Sequence, residues 1–150
     1  LLHKLISYCA LCYLNQYICN RANILLRILM KVNSIYLESD STFSNYITDW
    51  ANTAGVTVVD YDHKAEELPE GLLLINANQN LERDHVDIYD LFDKKHIPTQ
   101  KIDINGTLQV AVSNLEMWLN NFKCKHILIL GSESLIKNDN LDRFFNRISK

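Results

Sequence analysis

The chain has 150 residues, of which 47% are hydrophobic and 22% charged, with 15 Lys and Arg against 18 Asp and Glu. That is ordinary globular composition with length for one domain, and it excludes low-complexity and fibrous classes. All the acids lie after Met30, where 12 Lys and Arg face 18 Asp and Glu for a net charge of −6. An acidic domain without a Lys/Arg cluster is poorly suited to gripping a phosphate backbone, so nucleic acid is not expected as a partner.

Residues 1–29 form an unlike leader that carries Lys4, Arg21 and Arg27 and no acid. Its apolar stretch from Leu5 to Leu14 is broken by Asn15 and Gln16, and a spanning helix needs ~20 apolar residues. Membrane crossing is therefore not expected. A secretory signal fits Lys4 and the apolar stretch but lacks a small-x-small cleavage site, and scattered Arg without acids also fits an organellar transit peptide. The favoured reading treats 1–29 as an upstream extension and Met30, just before the first strand, as the native start. The chain is then a leader over 1–29 and one α/β domain over 30–150, cytoplasmic if Met30 is first and exported or membrane-associated if the leader is native.

Cysteine use follows the same division, with Cys9, Cys12 and Cys19 in the leader and Cys124 in the domain. Cys9-x-x-Cys12 has metal-ligand or redox spacing, but a zinc site needs four ligands and only His3 and Cys19 are near in sequence. The pair reads as incidental to an apolar run. Cys124 reads as a small buried residue leading into a strand, and no disulfide framework is implied.

From Met30 onward the period alternates between two and 3.6. A short strand over Asn33 to Leu37 ends in Glu38-Ser-Asp-Ser-Thr42. A helix follows, with Phe43, Ile47, Trp50, Ala51 and Ala54 on one face, a Ser/Asp/Thr start and a stop at Gly55. Val56 to Val59 is the second strand, ending in Asp60-Tyr-Asp-His63, and Pro69-Glu-Gly71 closes the connection. Leu72 to Ile75 is a continuous apolar run, as in a strand covered on both faces. After Asn76 to Asn80 comes a helix from about Leu81 to Lys95, with Leu81, His85, Ile88 and Phe92 in register, and then a strand from about Thr99 to Ile104.

Asn105-Gly106 is a strong hairpin signal between Ile104 and Leu108 to Val112. Against it, Leu108, Ala111, Val112, Leu115, Trp118, Leu119 and Phe122 make one apolar helical stripe opposed by a polar one. One long helix from about Thr107 to Phe122 is favoured over the hairpin. His126 to Leu130 is a last apolar strand, and a final helix capped by Asn138 or Asp139 carries Leu141, Phe144, Phe145 and Ile148 on one face.

Strands alternating with helices predict a three-layer α/β fold, Rossmann-like or flavodoxin-like, with a mostly parallel five-stranded sheet. Strand order stays open: Lys101 and Asp103 alternating with Ile102 and Ile104 suit an edge, whereas a flavodoxin-like 2-1-3-4-5 order would bury that strand.

Ligands of such sheets bind beyond the carboxyl ends of the strands. Every predicted strand end here is polar, and three of these loops place Ser, Thr or Gly just before a helix, where free N–H groups can hold an anion. Ser39, Asp40, Asn76, Asn78, Asn105, Gly106, Thr107, Gly131 and Ser132 are accordingly candidate ligand contacts, with a nucleotide or phosphorylated small molecule as the natural ligand. Glu38, Asp60, Asp103 and Glu133 are candidate acid/base groups and, if they converged, could hold Mg²⁺. The same residues also suit ordinary helix caps and solvated loops.

No G-x-G-x-x-G, P-loop or G-x-S-x-G pattern is present, and the histidines lack paired metal-ligand spacing. No resident metal site is expected from spacing. The acidic end of the first strand resembles a response-regulator receiver, but the third strand ends in Asn76 where a phosphoacceptor Asp would stand, and the fifth ends in Gly131-Ser132 without a Lys. The resemblance implies at most a receiver-like domain that cannot take phosphate. The alternative function is therefore a regulatory or interaction domain, a homodimer included, in which a helix face bearing Trp50 or Trp118 meets a partner.

Overall fold

The structure, a computed structural model, describes residues 31–149. The leader and the readings made on Cys9, Cys12 and Cys19 lie outside the described residues. The elements run β1 Ser34–Leu37, α1 Thr42–Ala54, β2 Thr57–Asp60, β3 Gly71–Asn76, α2 Arg83–Lys94, β4 Thr99–Asp103, α3 Leu108–Phe122, β5 His126–Gly131, a 3₁₀ turn Glu133–Lys137 and α4 Asp139–Ser149. The five strands form one sheet in the order β2-β1-β5-β3-β4, and every pairing is parallel.

This α/β architecture agrees with the alternation read from sequence. The order differs from the flavodoxin-like one because β5 is inserted between β1 and β3. The strand compositions explain the placement. Ile127 to Leu130 are all buried, and such a run needs cover on both faces, which only an interior strand receives. β4 exposes Lys101, and β2 exposes Thr57 and Asp60; these two take the edges.

Side-chain alternation sorts the core into two layers. Ile35, Leu37, Leu73, Ile75, Ile102, Ile127 and Ile129 face α1, α3 and α4, where Phe43, Ile47, Leu115, Leu119, Phe144 and Phe145 meet them. Leu72, Leu74, Leu128 and Leu130 face the opposite way, against Tyr61 of the β2–β3 connection and Ile88 and Phe92 of α2. Burying each of these large side chains contributes about 1.5–3 kcal/mol before the entropy of ordering is subtracted.

The segment after β4 is helical. Asn105-Gly106 forms a turn closed by the Gly106 amide donating to Asp103 O at 3.1 Å, and α3 begins at Leu108. The stripe decides this, since a helix there buries Ala111, Val112, Leu115, Trp118 and Leu119 together. Phe122, expected on that stripe, is exposed at the last helical position. Trp118 is 4% exposed and so presents no docking face, while Trp50 is half-buried with its ring 4.8 Å from Phe145. α2 begins at Arg83, so Leu81 precedes it. Cys124 is a buried free thiol, and burial pushes its pKa up.

Candidate functional site

The carboxyl edge of the sheet is divided by β5. The chain leaves β1 for α1 on one face and leaves β3 for α2 on the other. Loops that part to opposite faces on either side of a central strand make the crevice in which open α/β sheets bind ligands. Three groups of polar residues line this edge.

The first joins the ends of β3 and β4. Asp103 Oδ1 accepts from the Asn78 amide at 3.0 Å and the Asn105 amide at 2.9 Å, and Oδ2 accepts from the Gln79 amide at 3.1 Å. The Gln79 amide also donates to Oδ1 of Asn76, a buried polar side chain. Asn78 and Gln79 both have positive φ, 57° and 59°, which costs a non-glycine residue roughly 1 kcal/mol or more. The Asp103 carboxylate offsets that cost by pairing the amides the turn exposes. Asn105 then donates to Asn78 Oδ1 at 3.1 Å and accepts from Asn138 at 2.8 Å, so the strand-end loops form one network with the segment entering α4.

The second lies where β5 leaves the sheet. Ser41 caps α1, its Oγ accepting from the Ser44 amide at 2.9 Å, and the adjacent Thr42 amide points to Glu133 Oε1 at 3.5 Å. Gly131 lets this loop lie against α1: a Cβ there would meet the Phe43 ring at 2.4 Å. Ser132 and Ser134 share a hydrogen bond of 2.7 Å. Beyond them opens a hollow of about 420 Å³ lined by Ser134, Lys137, Asn138, Asp139, Asn140 and Arg143, at the N-terminus of α4. The Asn140 amide there donates to Asn138 Oδ1 at 3.0 Å, the capping role expected of Asn138.

The third group stands at the end of β1, on the α2 side. Glu38 Oε2 lies 3.3 Å from His85 Nε2 and Oε1 lies 3.4 Å from His63 Nε2. His85 is 5% exposed, on the first turn of α2. The hydrogen bond between them lowers the Glu38 pKa and raises that of His85, in each case against the effect of burial. Tyr61, its edge against the His63 ring at 4.8 Å, has its phenol pushed up by burial first and by Glu38 second.

The edge thus gathers Asn76, Asn78, Asp103, Asn105 and Gly106 into one loop cluster and Gly131 and Ser132 into another. Ser39 and Asp40 are exposed in the loop from β1 to α1, Asp40 with φ 64°. Thr107 precedes α3 without a side-chain cap bond, and Asp60 is exposed at the end of an edge strand. The four candidate carboxylates do not meet: Glu38 faces histidines, Asp103 holds backbone amides and Glu133 faces α1. Among the described residues no group of three His, Cys, Asp or Glu side chains is arranged to hold a metal ion.

Sequence reasoning passed over His63, His85, Lys137 and Arg143. His85 carried a usable signal, since its register with Ile88 and Phe92 places it on the buried face of α2, where an imidazole needs a partner. The others acquire meaning only from tertiary placement.

The fold and site define a doubly wound α/β protein with a polar strand-end crevice. No protein-family model and no curated protein matches the sequence. Among solved structures the chain is similar to a putative molybdenum carrier protein from Syntrophus aciditrophicus SB, with a TM-score of 0.60 and 9% identity over 79% of this chain and 90% of that one. At that identity the likeness is one of fold. Among the described residues no helix is long and apolar enough to cross a membrane.

Proposed function

We propose that this chain binds a phosphorylated small molecule, a nucleotide or sugar phosphate, at the carboxyl edge of its sheet. The observation that carries the reading is the hollow at the start of α4, where Lys137 and Arg143 stand with the Ser134 hydroxyl around about 420 Å³ of open space. A guanidinium pairs with phosphate through two parallel hydrogen bonds and an ammonium adds a point charge, against one carboxylate in the lining, Asp139. Asn138 and Asn140 tie the hollow to Asn105 at 2.8 and 3.4 Å, which puts the β4 loop beside it. The molybdenum-carrier description of the similar structure accords with a small ligand on this fold.

The test is thermal denaturation of the full chain with ATP, glucose 6-phosphate or inorganic phosphate, each with and without Mg²⁺. A ligand at 100 times its Kd adds about 2.7 kcal/mol of stability, and Lys137→Ala with Arg143→Ala removes that gain. Stabilisation by none of the three, or stabilisation that survives the double variant, refutes the proposal.

A second reading, an interaction module or homodimer, draws on Val110 and Met117. They are 54% and 57% exposed and seven residues apart along α3, which puts them on the same helical face. A sedimentation coefficient that rises with protein concentration and falls back in Met117→Lys would favour it.

A further inference from the structure

The hollow at the start of α4 is lined by both kinds of hydrogen-bonding group. Lys137 and Arg143 can only donate, whereas the Asp139 carboxylate can only accept. Arg143 lies four residues beyond Asp139 on α4, one helical turn away on the same face. Even so, among the described residues neither these two nor Lys137 forms a salt bridge. Asn138 is engaged at both ends of its amide, Nδ2 donating to Asn105 Oδ1 at 2.8 Å and Oδ1 accepting from the Asn140 amide at 3.0 Å. Asn140 is engaged at one end only. Its Nδ2 donates to Asn105 Oδ1 at 3.4 Å, while its Oδ1 accepts no hydrogen bond among the described residues. Asp139 and Asn140 therefore offer free acceptors in the same hollow as two free cations.

A bare phosphate uses only half of this lining. A phosphate monoester carries about −1.5 to −2 charges at pH 7, which Lys137 and Arg143 together balance. Asp139 is then left over and repels the anion, unless the same ligand brings donors to it. We infer that the hollow selects the phosphate monoester of a sugar or other polyol, with Asp139 as the specificity-determining residue: Lys137 and Arg143 take the phosphoryl group, and neighbouring hydroxyls donate to the Asp139 carboxylate and to Asn140 Oδ1. The inference rests on the phosphate reading and narrows it. A triphosphate brings more negative charge than two cations balance and sets the surplus against Asp139, so it is the poorer ligand.

Removing Asp139 acts in opposite directions on two ligands of the same charge. A ligand with hydroxyls loses hydrogen bonds to a charged acceptor, about tenfold in affinity at the low end that suits a hollow open to water. A ligand without hydroxyls loses only a repulsion, worth roughly threefold for unit charges ~6 Å apart in water.

The experiment is calorimetric titration of the full chain with glucose 6-phosphate and with methyl phosphate, a monoester that has no hydroxyl beyond its phosphoryl group, both in EDTA. The native chain binds glucose 6-phosphate about tenfold more tightly. Asp139→Ala weakens glucose 6-phosphate about tenfold and strengthens methyl phosphate roughly threefold, a gain that an unfolded variant cannot give. Asp139→Asn, which keeps an oxygen acceptor, retains part of the glucose 6-phosphate affinity. Equal affinity of the native chain for the two ligands, or a shift of both in the same direction in Asp139→Ala, overturns the inference. So does glucose 6-phosphate binding only when Mg²⁺ replaces EDTA, since the carboxylate then serves a cation. Each of those results leaves the phosphate reading standing as long as Lys137→Ala with Arg143→Ala abolishes binding, whereas a native chain that binds neither ligand under any of these conditions overturns both.

Discussion

Replacing Asp103 by Ala tests whether this carboxylate holds the crevice wall. Its oxygens accept from the amides of Asn78, Gln79 and Asn105 at 3.0, 3.1 and 2.9 Å. The Gln79 amide keeps a second acceptor in Asn76 Oδ1 at 3.1 Å, so the substitution removes two bonds outright and part of a third. Hydrogen bonds to charged acceptors contribute about 1.5–3 kcal/mol each. Water reaches these exposed amides and recovers much of that, leaving a loss of about 2 kcal/mol. For a domain of this size that is a fall in Tm of roughly 6–10 °C. Asp103→Asn keeps an oxygen for Asn78 and Asn105 and sets an amide donor against Gln79, so it loses about half as much. Urea denaturation gives the free energies, and hydrogen exchange at Asn78, Gln79 and Asn105 locates the loss in the turn. An Asp103→Ala protein within about 0.5 kcal/mol of the native one, with those amides equally protected, refutes the argument.

Gly131→Ala drives a methyl to 2.4 Å from the fully buried Phe43 ring and costs about 1–3 kcal/mol; Phe43→Leu in the same chain recovers part of it, as read by urea denaturation. Ser41→Ala removes the cap of α1 and costs about 1 kcal/mol, seen as faster hydrogen exchange in the first turn of that helix. The Glu38–His85 pair makes stability depend on pH at both ends. Glu38 is lowered from 4.5, so its contribution holds above that value and fades as pH falls through the lowered one. His85 is raised from 6.5, so its contribution is complete below 6.5 and fades as pH rises through the raised value. Chemical denaturation across pH shows stability declining above 6.5 in the native protein, and His85→Gln flattens that decline.

Much of the fold was legible because its signals are local. The stripes of α1, α3 and α4 and the apolar runs of β3 and β5 each match a single period, and burial follows them except at Phe122, with Trp50, Ala54 and Leu108 partly buried. The Asn105-Gly106 turn was visible too; what needed deciding was whether a strand or a helix followed, and the amount of apolar surface α3 buries decides it. Strand order was half legible. Lys101 and Asp103 marked β4 as an edge, but placing β5 between β1 and β3 depends on how three helices share one face. For the site, chain order supplied the polar loops and concealed their pairing. Asp103 looked like a free acid because two of the three amides that engage it lie about 25 residues earlier, and no periodicity connects them.

The insertion of β5 also accounts for two unlike clusters of polar residues on one edge. β1 ends with its loop turning toward α1, while Glu38, still in strand register beyond Leu37, points as Tyr36 does, to the layer of α2. There it meets the buried imidazole of His85. On the opposite layer β5 runs into the 3₁₀ turn and α4, which bring Lys137 and Arg143 together at a helix start. The alternation of side chains across a strand therefore separates the two clusters by the thickness of the sheet. At Gly131, where β5 ends, the loop stays low because the Phe43 ring leaves no room for a side chain.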